Sequence, residues 1–148
     1  MAGQRGGRRR EEVSMPLVLV AEDDVEMRRV LVDALGARGY DVQAVPDGAA
    51  LLLALANPGA CHYTNVDLVL ADMRMPICSG LDALEAMRAA GITVPFLFLT
   101  AFAAARMRER AAQLDALVIE KPVAMHELAR NIASRLAQSP TPRRASKR

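Results

Sequence analysis

Acidic, hydroxyl and amine side chains fall at the ends of short apolar runs along this 148-residue chain. The run "PLVLVA" (16–21) leads into Glu22, Asp23 and Asp24, and "VDLVLA" (66–71) leads into Asp72. "VPFLFL" (94–99) ends on Thr100, and "ALVIE" (116–120) ends on Lys121. Brought to one edge, these carboxylates would repel, and would have to take up protons or hold a cation. A hard, oxygen-seeking divalent ion such as Mg²⁺ is the natural guest, because it accepts carboxylates, carbonyls and several waters. The same cation, with the Lys121 ammonium, would offset charge on a phosphoryl group placed near Asp72, while Thr100 donates a hydrogen bond to one of its oxygens. Carboxylates act as phosphoryl-accepting nucleophiles, and positioning with charge neutralisation supplies most of the catalysis in such transfers. Taken singly, each group has a plainer role. An Asp after a strand caps a helix or forms a turn, "EDD" before a helix complements the helix dipole, and Lys-Pro makes a loop. Only their joint occurrence at alternating strand ends selects the chemical reading, in which Asp72 is the attacking group.

The elements that must position these groups follow from periodicity. Residues 16–21, 66–71, 94–100 and 116–121 read as strands buried on both faces, while 40–45 alternates and reads as an edge strand. Between them apolar residues recur at helical spacing. From Asp24 on, Met27, Val30, Leu31, Ala34 and Leu35 make one helix, and Leu51, Leu52 and Leu55 make the next after an Asp47 cap. A third helix carries Leu81, Leu84, Ala86, Met87 and Arg88, a fourth spans 103–114, and a fifth spans 123–137. Gly36, Gly39, "NPG" (57–59), Gly91 and Pro140 supply the stops. Strand then helix, five times over, implies an α/β fold with a parallel sheet covered on both faces and right-handed crossovers. In such sheets ligands bind just beyond the carboxyl ends of the strands, where the polar groups fall.

Composition agrees. An apolar fraction of 52% with 3% aromatic residues suits an α/β domain and excludes disorder throughout. No apolar run nears the roughly 18 residues that cross a bilayer, and the basic start lacks the apolar stretch of a secretory signal. Cys61 and Cys78 form no CxxC pair and read as reduced cytosolic thiols. The net charge of +2 is uneven: residues 1–14 carry +2, residues 139–148 carry +4, and 15–138 carries −4. The expectation is a single domain over 15–138 flanked by disordered basic ends, with weak attraction of those ends to phosphates or to a partner as the alternative, and an acidic body with basic ends reads differently from a basic nucleic-acid binder. His62 and His126 lack metal-ligand company and read as surface residues, and the methionines read as core filler.

The segments "LVAEDDVEMRRVL" (19–31), "PDG" (46–48), "LVLADMRMPICSGLDAL" (68–84), "VPFLFLTAF" (94–102) and "VIEKPV" (118–123) resemble the receiver domain of bacterial two-component response regulators. The resemblance covers roughly 15–138 and implies a flavodoxin-like, doubly wound five-stranded parallel sheet in order 2-1-3-4-5 with five flanking helices. It implies that Asp72 accepts a phosphoryl group from a histidine kinase or a histidine phosphotransfer protein. It further implies that Glu22, Asp23, Asp72 and the backbone carbonyl of Arg74 hold Mg²⁺, which leaves Asp24 as the cap of the first helix. Thr100 and Lys121 would be the switch hydroxyl and phosphate-binding lysine, and the Lys121–Pro122 peptide would be cis.

Two departures stand out. Val118 occupies the place of an aromatic that turns inward when the threonine moves, and a small β-branched side chain cannot swing in that way. The 57–65 stretch is also longer than usual. At Arg74 a long cation would shield the acyl phosphate from water or pair with a neighbouring acid, lengthening its lifetime. The first helix (Met27, Val30, Leu31) is a candidate kinase-docking surface, and the face with Arg106, Arg110 and Val118 a candidate surface for a downstream protein. The expected whole is a bacterial, cytoplasmic, single-domain response regulator without a DNA-binding output domain or membrane association. It would be no enzyme beyond its own phosphorylation and dephosphorylation. The alternative is a pseudo-receiver, an interaction module that does not switch conventionally. A haloacid-dehalogenase-like phosphatase would need a second Asp where Arg74 stands.

Overall fold

In a computed structural model, which describes residues 15–56 and 66–138, the chain forms five strand–helix pairs. These are β1 (Leu17–Ala21), α1 (Val25–Gly36), β2 (Asp41–Val45), α2 (Gly48–Ala56), β3 (Leu68–Ala71), α3 (Gly80–Ala89), β4 (Phe96–Thr100), α4 (Ala105–Gln113), β5 (Ala116–Glu120) and α5 (Met125–Gln138). The expectations for both basic ends, for the 57–65 stretch, and for Cys61 and His62 lie outside the described residues.

The sheet order is β2-β1-β3-β4-β5 and every neighbouring pair is parallel. The three central strands are buried at every residue, which is why their sequences run apolar without alternation. β2 is the half-exposed edge strand that its alternation predicts. Successive strand residues feed two cores. Leu19, Val69, Phe96 and Phe98 face α2, α3 and α4 with Leu51, Leu84 and Met87. Val18, Val20, Leu68, Leu70, Leu97 and Leu99 face α1 and α5 with Leu31, Leu35, Leu128 and Ile132. Each such side chain contributes about 1.5–3 kcal/mol of burial free energy.

Helix starts follow the predicted caps. Asp24 accepts from the Met27 amide at 3.0 Å and Asp47 from the Ala50 amide at 2.7 Å. Ser79, not singled out in the sequence, accepts from the Asp82 amide at 3.1 Å and starts α3. α4 has no side-chain cap, since Ala104 stands in that place.

Strand starts differ from the apolar runs for tertiary reasons. β3 begins at Leu68, not Val66, because the Asp67 carboxylate accepts the Leu17 amide at 2.8 Å and so closes off the start of β1. β4 begins at Phe96, not Val94. Pro95 has no amide to donate, and the Val94 carbonyl is occupied by Arg88 at 2.9 Å.

Arg88 is the main surprise. Its guanidinium also donates to the Leu114 and Ile92 carbonyls, both at 2.9 Å. One half-buried cation thus joins the end of α3, the approach to β4 and the end of α4. Burial lowers its pKa, and the nearby Asp115 carboxylate opposes that effect. Ala86, expected on the apolar face, is exposed, and Ala83 is buried there instead.

Candidate functional site

The register of the sheet builds the site. Ala21 pairs with Ala71, so Glu22 and Asp72 leave the sheet side by side from β1 and β3. The Asp72 amide donates to the Ala21 carbonyl at 3.0 Å, and the Glu22 amide to the Val45 carbonyl at 3.1 Å. On the far side Thr100 and Glu120 pair, and the next residue, Lys121, donates its amide to the Thr100 carbonyl at 2.7 Å.

Carboxylate oxygens of Glu22, Asp23 and Asp72 all lie within 4.8 Å of one another. The Lys121 ammonium donates to Glu22 Oε2 and Asp72 Oδ2, each at 3.4 Å. Glu22 is 3% exposed, and burial pushes its pKa up; the Lys121 charge counteracts this, while the Asp72 charge adds to it. Its Oε1 also accepts the Asp24 amide at 3.3 Å, and the Arg28 guanidinium donates to its backbone carbonyl at 2.9 Å. Asp72 Oδ1 accepts the Arg74 amide at 3.0 Å, which orients the carboxylate.

This donor set suits Mg²⁺. Three hard oxygen ligands converge, one is exposed, one is half-buried and one is buried, and the crowding of negative charge is only partly offset by one ammonium. A groove lined by Asp23, Met73, Arg74, Met75 and Met107 opens beside the cluster. Among the described residues no other group of His, Cys, Asp and Glu side chains has metal-binding spacing.

Gly80, the first residue of α3, makes the site compact. A Cβ there would sit 2.2 Å from the Asp72 carbonyl oxygen and 2.8 Å from the Phe98 ring. The turn leading to it is unusual. Ile77 is 89% exposed at φ 72°, and the Cys78 amide donates back to the Pro76 carbonyl at 2.8 Å. A β-branched residue in this region is strained. The turn residues "PICSG" announce a turn, but nothing in them singles out Ile77.

The remaining site residues are placed as follows. Thr100 is 1% exposed at the end of β4, yet its hydroxyl donates to the Phe102 carbonyl at 3.3 Å and to no carboxylate. The Lys121–Pro122 peptide is cis, as the resemblance implied. Val118 is half-buried and packs into the core on the α4 side of the sheet. Among the described residues Arg74 pairs with no acid. Its guanidinium lies 5.5 Å from the centre of the Phe102 ring, a partner that sequence reasoning missed.

The expected partner face is also altered. Arg110 is bound to Glu85 of α3 at 2.8 Å, and Arg108 is paired with Glu120, so of the two predicted basic residues Arg106 is the exposed one without such a tie among the described residues. Val118 faces inward and contributes little there. His126 is exposed on α5, and Cys78 is a free thiol whose pKa burial raises. Among the described residues no helix is long and apolar enough to cross a membrane.

Comparison with known proteins bears on these features. The family model of the response regulator receiver domain matches residues 18–133. The receiver protein CpdR of Brucella abortus is 32% identical over 123 residues, which is 82% of this chain and 98% of that protein. The sensor histidine kinase RcsC of Salmonella typhi is 31% identical over 119 residues, 79% of this chain but only 12% of the kinase. Several of the curated relatives are therefore much longer than the matched region, and the chain spans about half or less of their length. Among solved structures, a CheY-like receiver domain from Methanospirillum hungatei superposes with a TM-score of 0.76 at 21% identity, over 84% of this chain and 96% of that one. This chain belongs to the receiver domains of response regulators, the phosphorelay signalling components of two-component systems.

Proposed function

We propose that Asp72 is the phosphoacceptor of this domain and that the chain signals as a stand-alone regulator in the bacterial cytoplasm. The observation that carries the reading is the shared cavity: Lys121 Nζ lies 3.4 Å from both Glu22 and Asp72, inside a cluster of three carboxylates. A carboxylate oxygen of Asp72 attacks phosphorus, and the phosphorus–nitrogen bond of a phosphohistidine breaks. The product is an acyl phosphate, and the imidazole leaves with its electron pair and takes up a proton. The donor is a histidine kinase or a histidine phosphotransfer protein. Lys121 neutralises the incoming phosphoryl oxygens and Thr100 donates a hydrogen bond to one of them. Glu22, Asp23, Asp72 and the Arg74 carbonyl would hold Mg²⁺, which when bound supplies charge neutralisation of the transferring group. The output is protein contact.

A second reading, a pseudo-receiver that does not switch conventionally, is favoured by Val118 alone. Acetyl phosphate with Mg²⁺ separates the two. The expected result is one added phosphoryl mass, with acetate released, that is lost in Asp72→Ala. An unmodified parent protein would refute the acceptor reading. Capture of partners with and without beryllofluoride then tells a switching regulator from a static module.

A further inference from the structure

We infer that Phe102 is the moving reporter of this domain, its ring released when Asp72 is phosphorylated because both of its ties, the Thr100 hydroxyl and the Arg74 guanidinium, run to the acceptor. The inference rests on the acceptor reading above and adds how that site is read out.

Phe102 is a large apolar side chain left 56% exposed, directly beyond β4. Two groups tie it to the site. The Thr100 hydroxyl, 1% exposed, has a single hydrogen, which it gives to the Phe102 carbonyl at 3.3 Å. The Arg74 guanidinium lies 5.5 Å from the ring centre, while the Arg74 amide is bonded to Asp72 Oδ1 at 3.0 Å. The Phe102 backbone is therefore held by the residue that donates to the phosphoryl group, and its ring lies against the residue that orients the acceptor.

A phosphoryl group on Asp72 competes for both ties. Hydrogen bonds to an anionic oxygen are roughly twice as strong as neutral ones, so the Thr100 hydrogen moves from a carbonyl to the phosphoryl oxygen. A guanidinium prefers the planar fork of phosphate oxygens to the face of an exposed phenyl ring. The two ties are lost by one event. The segment is otherwise lightly held: α4 begins at Ala105 after an Ala104 that offers no side-chain cap, so no cap bond resists a shift between Thr100 and Ala105, and the buried Ala103 anchors it by a single methyl group. Val118, paired in register with Phe98, is too small to transmit the movement inward. Phe102 thereby takes the reporting part that an aromatic at position 118 would have taken.

The chain has no tryptophan, so Phe102→Trp gives a single tryptophan, excited selectively over the two tyrosines, at the proposed reporter. Beryllofluoride with Mg²⁺ should shift its emission by several nanometres and change acrylamide quenching at least twofold. In Phe102→Trp with Thr100→Ala, bound fluoride should still be seen by ¹⁹F NMR at saturation while the emission shift disappears. Thr100→Ser, which keeps the hydroxyl, should restore it. Bound fluoride with unchanged emission overturns the inference, as does an equal shift in the Thr100→Ala background. Absence of any bound fluoride in the parent overturns the acceptor reading and this inference together.

Discussion

Replacing Gly80 by alanine tests whether the close approach of α3 to the acceptor strand is as tight as described. The new Cβ would lie 2.2 Å from the Asp72 carbonyl oxygen, against an ordinary contact of at least 3.4 Å, so something must move by 1.2 Å or more. The obstacle is backbone on one side. On the other it is Phe98, fully buried with its ring tilted against Phe96 at a centre distance of 4.8 Å, so it cannot step aside cheaply. Overpacking of this kind costs about 1–3 kcal/mol, and the better helix propensity of alanine returns up to about 1 kcal/mol. The net loss of about 1–2 kcal/mol lowers the Tm by roughly 4–8 °C. The chemistry should suffer more than the fold, because a displacement of about 1 Å at a reacting carboxylate can lower the rate about 100-fold. Gly36→Ala is the control, since a Cβ at Gly36 meets nothing within 4 Å. The assay pairs thermal melts with the rate of acyl-phosphate formation from acetyl phosphate. If Gly80→Ala matches Gly36→Ala in both, the proposed tightness around Asp72 is refuted.

Arg88→Ala leaves three inward carbonyls without a donor, and should cost about 2–4 kcal/mol in urea unfolding; a loss below about 0.5 kcal/mol would contradict the tie. Ile77→Gly relieves a left-handed residue that costs about 1–2 kcal/mol and gives some of that back as unfolded-chain entropy, so unfolding should become harder by about 0.5–1 kcal/mol, and a drop in denaturation midpoint would count against strain. The folded pKa of Glu22 lies above its ordinary 4.5, so the native protein binds that proton more tightly and stability falls as pH rises from about 4.5 through the raised value. In chelator, Glu22→Gln should therefore gain on the parent in Tm as pH climbs through that window; a pH-independent difference would speak against the buried charge. Arg74→Asn should shorten the acyl-phosphate half-life several-fold; an unchanged or longer half-life would sink the shielding role.

The parts of the fold readable in advance were those set by local pattern. Central parallel strands are buried on both faces, so 17–21 and 96–100 show as unbroken apolar runs, and Asp24 and Asp47 cap where a carboxylate precedes a helical period. That acids near 22–24, Asp72 and Lys121 would share one edge followed from the alternation, because strand ends lie together, while the choice of Glu22 and Asp23 over Asp24 came from the resemblance. What escaped depends on partners distant in sequence. The true starts of β3 and β4 are set by Asp67 on Leu17 and by Arg88 on Val94. The hydroxyl direction of Thr100 is a rotamer choice, and the Arg74–Phe102 stack joins two loops that no periodicity relates. Arg88 did leave a trace: it sits four residues after Leu84 on the apolar stripe, where a charge has to find buried acceptors.

The Arg88 tie has a consequence for how this protein can vary. Its acceptors, Ile92, Val94 and Leu114, all lie before the amino ends of β4 and β5, one strand length away from the acidic pocket at the carboxyl ends. Substitutions there should lower the share of folded molecules without displacing the carboxylates at the other rim. What holds the sheet together at one rim is thereby kept apart from the acidic pocket at the other.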